Sequence, residues 1–399
     1  MGVPPESVWL VGGGLSRPLR YGEVSPSGTF WAAETPARDS VAAVLVALAR
    51  QIWSGGELQL AEPDFTGEGV AAWVPSVGLG LAAGLTADWA RAISQSEGRI
   101  ILHTSGSSGV PKRVQHRIAT LGRSVVVTPR HQAAVWALAF NPTHIAGVQV
   151  VLQAWANGNP VVNLWGVSPA EAVSRCRQWG VTHVSATPTF YRLLLAVGAE
   201  LPAVKSLTVG GEPADEALLE RLRQHFPGAR IHNVYASTEA GMVLAGEGLD
   251  FEIPADKADR VAIRDGRLWI HRSQLGEFGQ VDGWYDTGDR VEPVGGSPGR
   301  FRIVGRERRE INVGGEKVDP AEVERHLLAH PGVVLARVFG RSNSVTGALL
   351  AADVVPRDPQ LDERVLRQYL AARLRAPQVP RLIRLVSELE LTRTGKVLP

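Results

Sequence analysis

Two patterns of apolar and polar positions succeed one another along the chain. Over roughly the first 240 residues, apolar residues at helical spacing alternate with short, continuous apolar runs. Ser40–Trp53 carries Val, Leu, Ala and Ile at helical spacing, and the Gly55-Gly56 turn leads to a short strand at Glu57–Ala61. Residues 62–96, rich in Gly and Ala, show neither period. Val114–Val127 fits a helix, or a helix and a strand, and Ala133–Phe140 is apolar. The spacing then predicts helix Ile145–Trp155, buried strand Pro160–Leu164, amphipathic helix Pro169–Trp179 stopped by Gly180, and strand Val181–Ser185. Helix Phe190–Val197, strand Ser206–Val209, helix Asp215–His225 and strand Ile231–Val234 follow. Such alternation predicts an α/β domain with a largely parallel sheet.

From about residue 260 the pattern shifts to short strands and turns. Val261–Arg264, Asp265-Gly266 and Arg267–His271 read as a hairpin. A turn at 293–300 precedes strand Phe301–Val304, and Gly305–Glu310 is a charged joint. A compact α+β tail follows: helix Pro320–Ala329, strands Val333–Phe339 and Leu349–Val355, helix Asp362–Arg375 and strand Leu382–Val386. These shifts place a domain boundary near Arg306–Arg308, giving an N-terminal domain over 1–305 and a C-terminal domain over 306–399.

Composition narrows the class. An apolar content of 44% and a charged content of 21% suit a soluble globular protein. A formal net charge of +2, without a clustered basic stripe, predicts no nucleic-acid or membrane partner. No uncharged apolar run reaches the roughly 18 residues of a membrane span. The N-terminal residues lack a basic segment followed by an apolar one, so no signal peptide is expected and the expected location is cytoplasmic. The single cysteine, Cys176, lies among apolar residues and reads as a buried structural thiol. Of 42 basic residues only five are lysines, at 112, 205, 257, 317 and 396. Lys112, Lys317 and Lys396 stand beside glycines, which points to a specific use for a compact cation there.

The chemistry gathers in five stretches. Ile101 and Leu102 end a strand, and Thr104, Ser105, Gly106, Ser107, Ser108 and Gly109 run on to Pro111 and Lys112. Glycines let backbone N–H groups converge, hydroxyls add donors and lysine adds a cation, a combination suited to a polyphosphate. It is not a Walker loop. Thr208-Val-Gly-Gly-Glu-Pro213 is a strand ending in Gly210 and Gly211, where a flat group can approach the backbone. Asn233–Gly241 sets Tyr235, hydroxyls and Glu239 on a loop after a strand. Tyr285-Asp-Thr-Gly-Asp289 offers two carboxylates around a glycine, and Arg393-Thr-Gly-Lys396 closes the chain. Taken singly, these are a surface loop, a tight turn and a solvated terminal lysine.

Taken in order, together with the stretch Gly305–Glu324, they resemble the adenylate-forming superfamily: acyl- and aryl-CoA synthetases, adenylation domains of peptide synthetases, and luciferases. The resemblance spans residues 101–396. It implies a large N-terminal α/β domain and a small mobile α+β C-terminal domain meeting over the active site. It further implies an acid–thiol ligase using ATP, Mg²⁺ and coenzyme A, with the phosphopantetheine of a carrier protein as the rival acceptor. A nucleotide-binding partner subunit is a second alternative, and a homodimer is admitted.

Carried over position by position, the resemblance implies that residues 104–109 and Lys112 hold the β- and γ-phosphates. Glu239 would hold Mg²⁺ and Thr238 touch the α-phosphate. Tyr235 would stack on adenine, with Gly211, Glu212 and Pro213 along its edge. Asp289 would accept from the ribose hydroxyls, and Arg306 would reach the ribose or phosphate. Lys396 would bridge the attacking carboxylate and the α-phosphate. Arg308 would be the hinge that brings the stretch around Gly314 and Gly315 to the thiol tunnel.

For the acid, Asn141–Gly147 resembles the family's Pro-x-x-His-x-x-Gly stretch with one residue fewer, which sets His144 in the acyl pocket. His183–Thr189 is a second candidate wall. No carboxylate lies between Arg130 and Asn163, which favours an acid without an α-amino group. Ala236 replaces the family's usual glycine, and its methyl should narrow the pocket towards an aryl or slim acid. About 100 residues precede the phosphate loop, fewer than usual, so a reduced first subdomain over 1–100 is expected.

Overall fold

The first of the two patterns folds into two sheets with helices on their faces. The computed structural model describes residues 8–11, 19–20, 41–60, 89–104, 112–295, 299–306, 310–343, 347–392 and 395–398. In chain order the first part comprises β1 (Val8–Val11), β2 (Leu19–Arg20), α1 (Val41–Ser54), β3 (Glu57–Leu60), α2 (Trp89–Gln95), β4 (Arg99–Thr104), β5 (Lys112–Arg117) and α3 (Ile118–Gly122). There follow β6 (Trp136–Leu138), α4 (Ile145–Ala156), β7 (Val161–Asn163), α5 (Pro169–Gln178), β8 (His183–Ala186), α6 (Pro188–Ala196), β9 (Ser206–Gly210), α7 (Glu216–His225), β10 (Arg230–Ser237) and β11 (Gly241–Gly246).

The main sheet runs β11-β10-β9-β8-β6-β7-β1-β2. Its interior pairs are parallel, as the alternation predicts, and β11 and β2 close the edges antiparallel. The period of two is visible in β6. Trp136 and Leu138 join the core formed with α1, α2 and α4, whereas Ala137 joins the core under α5, α6 and α7. The helices begin on the caps their sequences offer. Ser168 accepts from Glu171 N at 3.2 Å, Thr187 from Phe190 N at 3.1 Å and Asp215 from Leu218 N at 2.9 Å. Cys176 is buried, and burial pushes its thiol up to about 12.

The segment after the phosphate loop departs from its helical reading. Lys112–Arg117 is a strand, antiparallel to β4, and only Ile118–Gly122 is helical. Its polar residues hide the strand, because two of them are buried and satisfied locally. Gln115 Nε2 donates to Glu277, and His116 Nε2 to the Thr238 carbonyl at 2.6 Å.

The second pattern gives β12 (Asp250–Glu252), β13 (Val261–Arg264), β14 (Arg267–His271), β15 (Trp284–Pro293) and β16 (Arg300–Arg306), an antiparallel sheet in the order β12-β16-β15-β14-β13. The Asp265-Gly266 turn has positive φ at both residues, as its hairpin requires. Beyond it lie β17 (Ile311–Val313), β18 (Glu316–Val318), α8 (Pro320–Ala329), β19 (Val333–Asn343), β20 (Gly347–Pro356), α9 (Glu363–Ala371) and β21 (Leu382–Leu385). These bury a core of their own, including Val323, Leu327, Val338, Leu350 and Leu366. Among the described residues, no helix is long and apolar enough to cross a membrane.

Two features of the main sheet generate tests. His183 stacks on Trp136 at 4.6 Å, and His131 meets both rings edge-on. Burial, reinforced by His131, Lys205 and His232, pulls His183 down to about 4 from its ordinary 6.5. The unfolded chain therefore binds a proton that the folded chain refuses between those values. Stability is complete above about 6.5 and falls as pH drops towards 4. Urea denaturation at about pH 7 and pH 5 should show a loss to which His183 contributes on the order of 1–2 kcal/mol, so that His183→Asn reduces the loss by that amount. The second feature is Gly147 in α4, where an added Cβ would sit 2.2 Å from the Asn141 carbonyl oxygen. Gly147→Ala, ordinarily favourable in a helix, should instead destabilise by about 1–3 kcal/mol in the same assay.

Candidate active site

The site is built where strand ends, loops and the chain terminus converge. On one side, Lys112 opens β5 and points its ammonium at the loop after β10. Its Nζ lies 3.1 Å from Glu239 Oε1. The Tyr285 hydroxyl lies 3.5 Å from the same oxygen. The ammonium also stands 3.8 Å from the centre of the Phe278 ring and 5.2 Å from that of Tyr285. Glu239 is thus a largely buried carboxylate already presented to a cation. No group of three or more potential metal ligands occurs among the described residues. Glu239 fits Mg²⁺ as a single protein ligand, the remaining oxygens coming from phosphate and water, a common arrangement for this ion. Thr238, its neighbour, is held through its carbonyl by His116, and burial lowers the His116 imidazole below its usual value.

A second group lies on β15 and β16. Tyr235 donates to Asp289 Oδ2 at 2.6 Å, and Asp289 is buried. Arg306 is the register partner of Asp289 across the antiparallel ladder. The two carboxylates of Tyr285–Asp289 divide their work. Asp286 pairs with Arg267 at 2.9 Å and accepts from Gly288 N at 2.8 Å, which shapes the turn. Gly288 adopts φ +74° there, a conformation suited to glycine. Asp289 alone is turned to Tyr235.

The third group brings the chain terminus to the main sheet. Leu391 and Val397 pair as an antiparallel bridge, and Thr392 N donates to the Lys396 carbonyl at 2.6 Å. This small hairpin leans on the first domain. Thr187 Oγ1 donates to the Gly395 carbonyl at 3.2 Å, and Trp165 lies against Gly395. A Cβ placed on Gly211 would fall 3.6 Å from Phe140, 3.7 Å from Thr187 and 3.9 Å from Lys396 Cε, so the lysine stem runs beside the backbone that follows β9. Glu212 accepts from Thr189 N and Oγ1, both at 3.1 Å. Burial raises its carboxyl, opposed by the Thr189 hydrogen bonds and by the charges of Lys396 and Arg192. Arg192 in turn pairs with Asp215 inside the protein. Lys396, Glu212, Arg192 and Asp215 therefore form a row of alternating charge leading inward from the terminus.

The structure brings Lys112, Thr238, Glu239, Tyr235, Asp289, Gly211, Glu212 and Lys396 into these three groups. Ser105, Gly106, Ser107, Ser108, Gly109 and the hinge candidate Arg308 lie outside the described residues, and Thr104 and Arg306 are placed by their backbone. His144 is the residue before α4 and makes no side-chain cap. Ala236 follows a bulge in the β10–β11 ladder, opposite Met242. Pro213 is exposed beyond Glu212. Gly314 and Gly315, with φ of +60° and +94°, form the exposed turn of the β17–β18 hairpin and are not in these groups. Lys317 on the same hairpin is a solvated lysine paired with Glu310 at 3.3 Å. Of the His183–Thr189 hydroxyls, that of Thr187 serves the helix start and Gly395, and that of Thr189 donates to Glu212. Sequence reasoning misses Phe278, His116 and Trp165, each a lone aromatic residue outside any recognisable spacing.

Comparison with known proteins places this geometry. Residues 35–264 match the AMP-binding enzyme family and residues 322–396 the AMP-binding enzyme C-terminal domain. The chain is 26% identical over 354 residues to an acetyl-coenzyme A synthetase of Bacillus subtilis, covering 77% of this chain and 61% of that protein. It is 28% identical over 346 residues to a feruloyl-CoA synthase of an Amycolatopsis species, covering 75% and 68%. Its fold matches the anthranilate CoA ligase AuaEII with a TM-score of 0.62 at 19% identity, over 75% of this chain and 65% of that one. The chain thus spans about two thirds of the length of such relatives. The match over residues 35–264 alone spans more than half of the chain, which belongs to the AMP-binding enzyme family.

Proposed function

We propose that this chain is an ATP-dependent acid–thiol ligase that makes an acyl- or aryl-CoA through an acyl-adenylate. The observation that carries this reading is the seat of Lys396. The terminal hairpin, fastened through Gly395 to Thr187, lays the lysine stem along Gly211 at the C-terminal end of β9, where ligands of parallel sheets bind.

The roles follow from the groups around it. The carboxylate oxygen of the acid attacks the α-phosphorus of ATP, the bond to the bridging oxygen breaks, and pyrophosphate leaves. Lys396 sits between acid and α-phosphate and neutralises charge that grows in the transition state. Lys112 and the Gly/Ser loop hold the departing phosphates. Glu239 supplies a carboxylate to Mg²⁺, which offsets phosphate charge when bound. Asp289, oriented by Tyr235, accepts from the ribose hydroxyls. The Tyr235 hydroxyl is committed to Asp289, so its ring is braced against rotation beside the adenine position. A thiol then attacks the acyl carbon and AMP leaves, after the C-terminal domain has turned about Arg308 to bring the Gly314-Gly315 hairpin into place.

The acid pocket is assigned to the segment from Phe140 to Gly147, including His144, and to Ala236. An aryl or slim acid fits this reading. The names of the relatives, among them feruloyl-CoA synthase and 2-succinylbenzoate–CoA ligase, lie within that range. CoA is taken as the acceptor because the named relatives include CoA ligases.

ATP–pyrophosphate exchange over benzoic, hydroxybenzoic, cinnamic and medium-chain fatty acids tests the reading, and exchange is expected with at least one. Silence with every acid would overturn it. Lys396→Ala should lower the exchange rate by about 10²–10³. Thiol transfer from a supplied acyl-adenylate should persist in that variant, and equal loss of both steps would remove Lys396 from the first. Turnover with free CoA against carrier proteins identifies the acceptor.

A further inference from the structure

Phe278 belongs to none of the motifs, yet it is the ring nearest the Lys112 ammonium, at 3.8 Å. Its position is fixed from both sides of the site. Gly276 N donates to the Glu239 carbonyl at 2.7 Å. Gln115 and Glu277 exchange backbone hydrogen bonds of 3.0 and 2.7 Å, which ties the same segment to the strand that begins at Lys112. The approach is close enough that a Cβ on Gly276 would meet the Gln115 oxygen and the His116 ring at 2.7 Å. Tyr285 completes the seat, its ring edge-to-face with Phe278 at 5.3 Å and 81°.

We propose that Phe278 is a positioning residue that holds Lys112 against Glu239, so that Lys112 and Mg²⁺ compete for one carboxylate. The proposal rests on the adenylating reading above. A ring face attracts an ammonium, and the partly buried setting strengthens both that attraction and the 3.1 Å ion pair. Mg²⁺ needs the oxygen that Lys112 faces, and two cations cannot share it without repulsion. Nucleotide resolves the conflict, because its phosphates offer Lys112 a second anion. The strength of the aromatic seat then sets how much Mg²⁺ is required for nucleotide to bind.

The test is calorimetric binding of α,β-methylene-ATP, whose α–β bridge cannot be cleaved and which therefore cannot transfer its adenylyl group, to the full chain over a series of Mg²⁺ concentrations. Phe278→Leu keeps the bulk and loses the ring face. It should lower the Mg²⁺ concentration for half-maximal binding by about threefold. Phe278→Trp, with the stronger face, should raise it. In Lys112→Met, substitution at 278 should leave the midpoint unmoved, since the partner is gone. A ring that merely filled space would shift Leu and Trp variants in the same direction. That result, or equal shifts with and without Lys112, overturns the proposal. Failure of the wild-type chain to bind the analogue at any Mg²⁺ concentration overturns the adenylating reading, and this one with it.

Discussion

The structure depends on placing one ammonium group, Lys396, on a carrier that is itself small and polar. A free lysine side chain has about 2 kcal/mol of rotamer entropy to lose on being fixed. Here the fixing is done by backbone. The Leu391–Val397 bridge folds the terminus on itself, and Thr187 and Trp165 hold Gly395. Behind the lysine, Glu212, Arg192 and Asp215 alternate in sign, so each charge is stabilised by its neighbours rather than by water. Arg192 is almost wholly buried and would be costly without the carboxylates on either side. The start of α7, capped by Asp215, and the start of α6, capped by Thr187, are therefore tied electrostatically to a residue nearly two hundred positions away.

The Lys112–Glu239 pair follows a different logic. Lys112 and Glu239 are brought together by an antiparallel strand and by a loop after a parallel one, and the contacts of Gly276 and His116 stitch the two elements. The Asp289 side is different again. There the sheet itself does the placing, since Asp289 and Arg306 are register partners. Three ways of holding a charge thus surround one site: a docked hairpin, a stitched pair of loops and a ladder register. Each has its own stiffness.

Much of the fold was legible because its parts are locally consistent. The helices at 41–54, 145–156, 169–178 and 320–329 have clear apolar spacing, and several have a capping residue in place. The 261–271 hairpin was legible from its Asp-Gly turn. The strand at 112–117 was not, because its buried positions carry Gln115 and His116, whose partners lie more than a hundred residues away. Within the site, residues in motifs were legible and lone aromatic ones were not. Tyr235 and Asp289 were both singled out, but their mutual hydrogen bond belongs to tertiary structure. Asp286 and Asp289 flank one glycine in the sequence, and only the pairing of Asp286 with Arg267 reveals that its carboxylate is used in the turn.

Thr187 carries a consequence of its own. Its oxygen accepts from Phe190 N, and its single proton is given to the Gly395 carbonyl. The hydroxyl therefore has a fixed polarity, running from the helix through the side chain to the terminus. If the terminal hairpin withdraws, that proton loses its acceptor in a largely buried place, and a solvent molecule is the natural replacement. Departure of the lysine and entry of water into this corner are then one event.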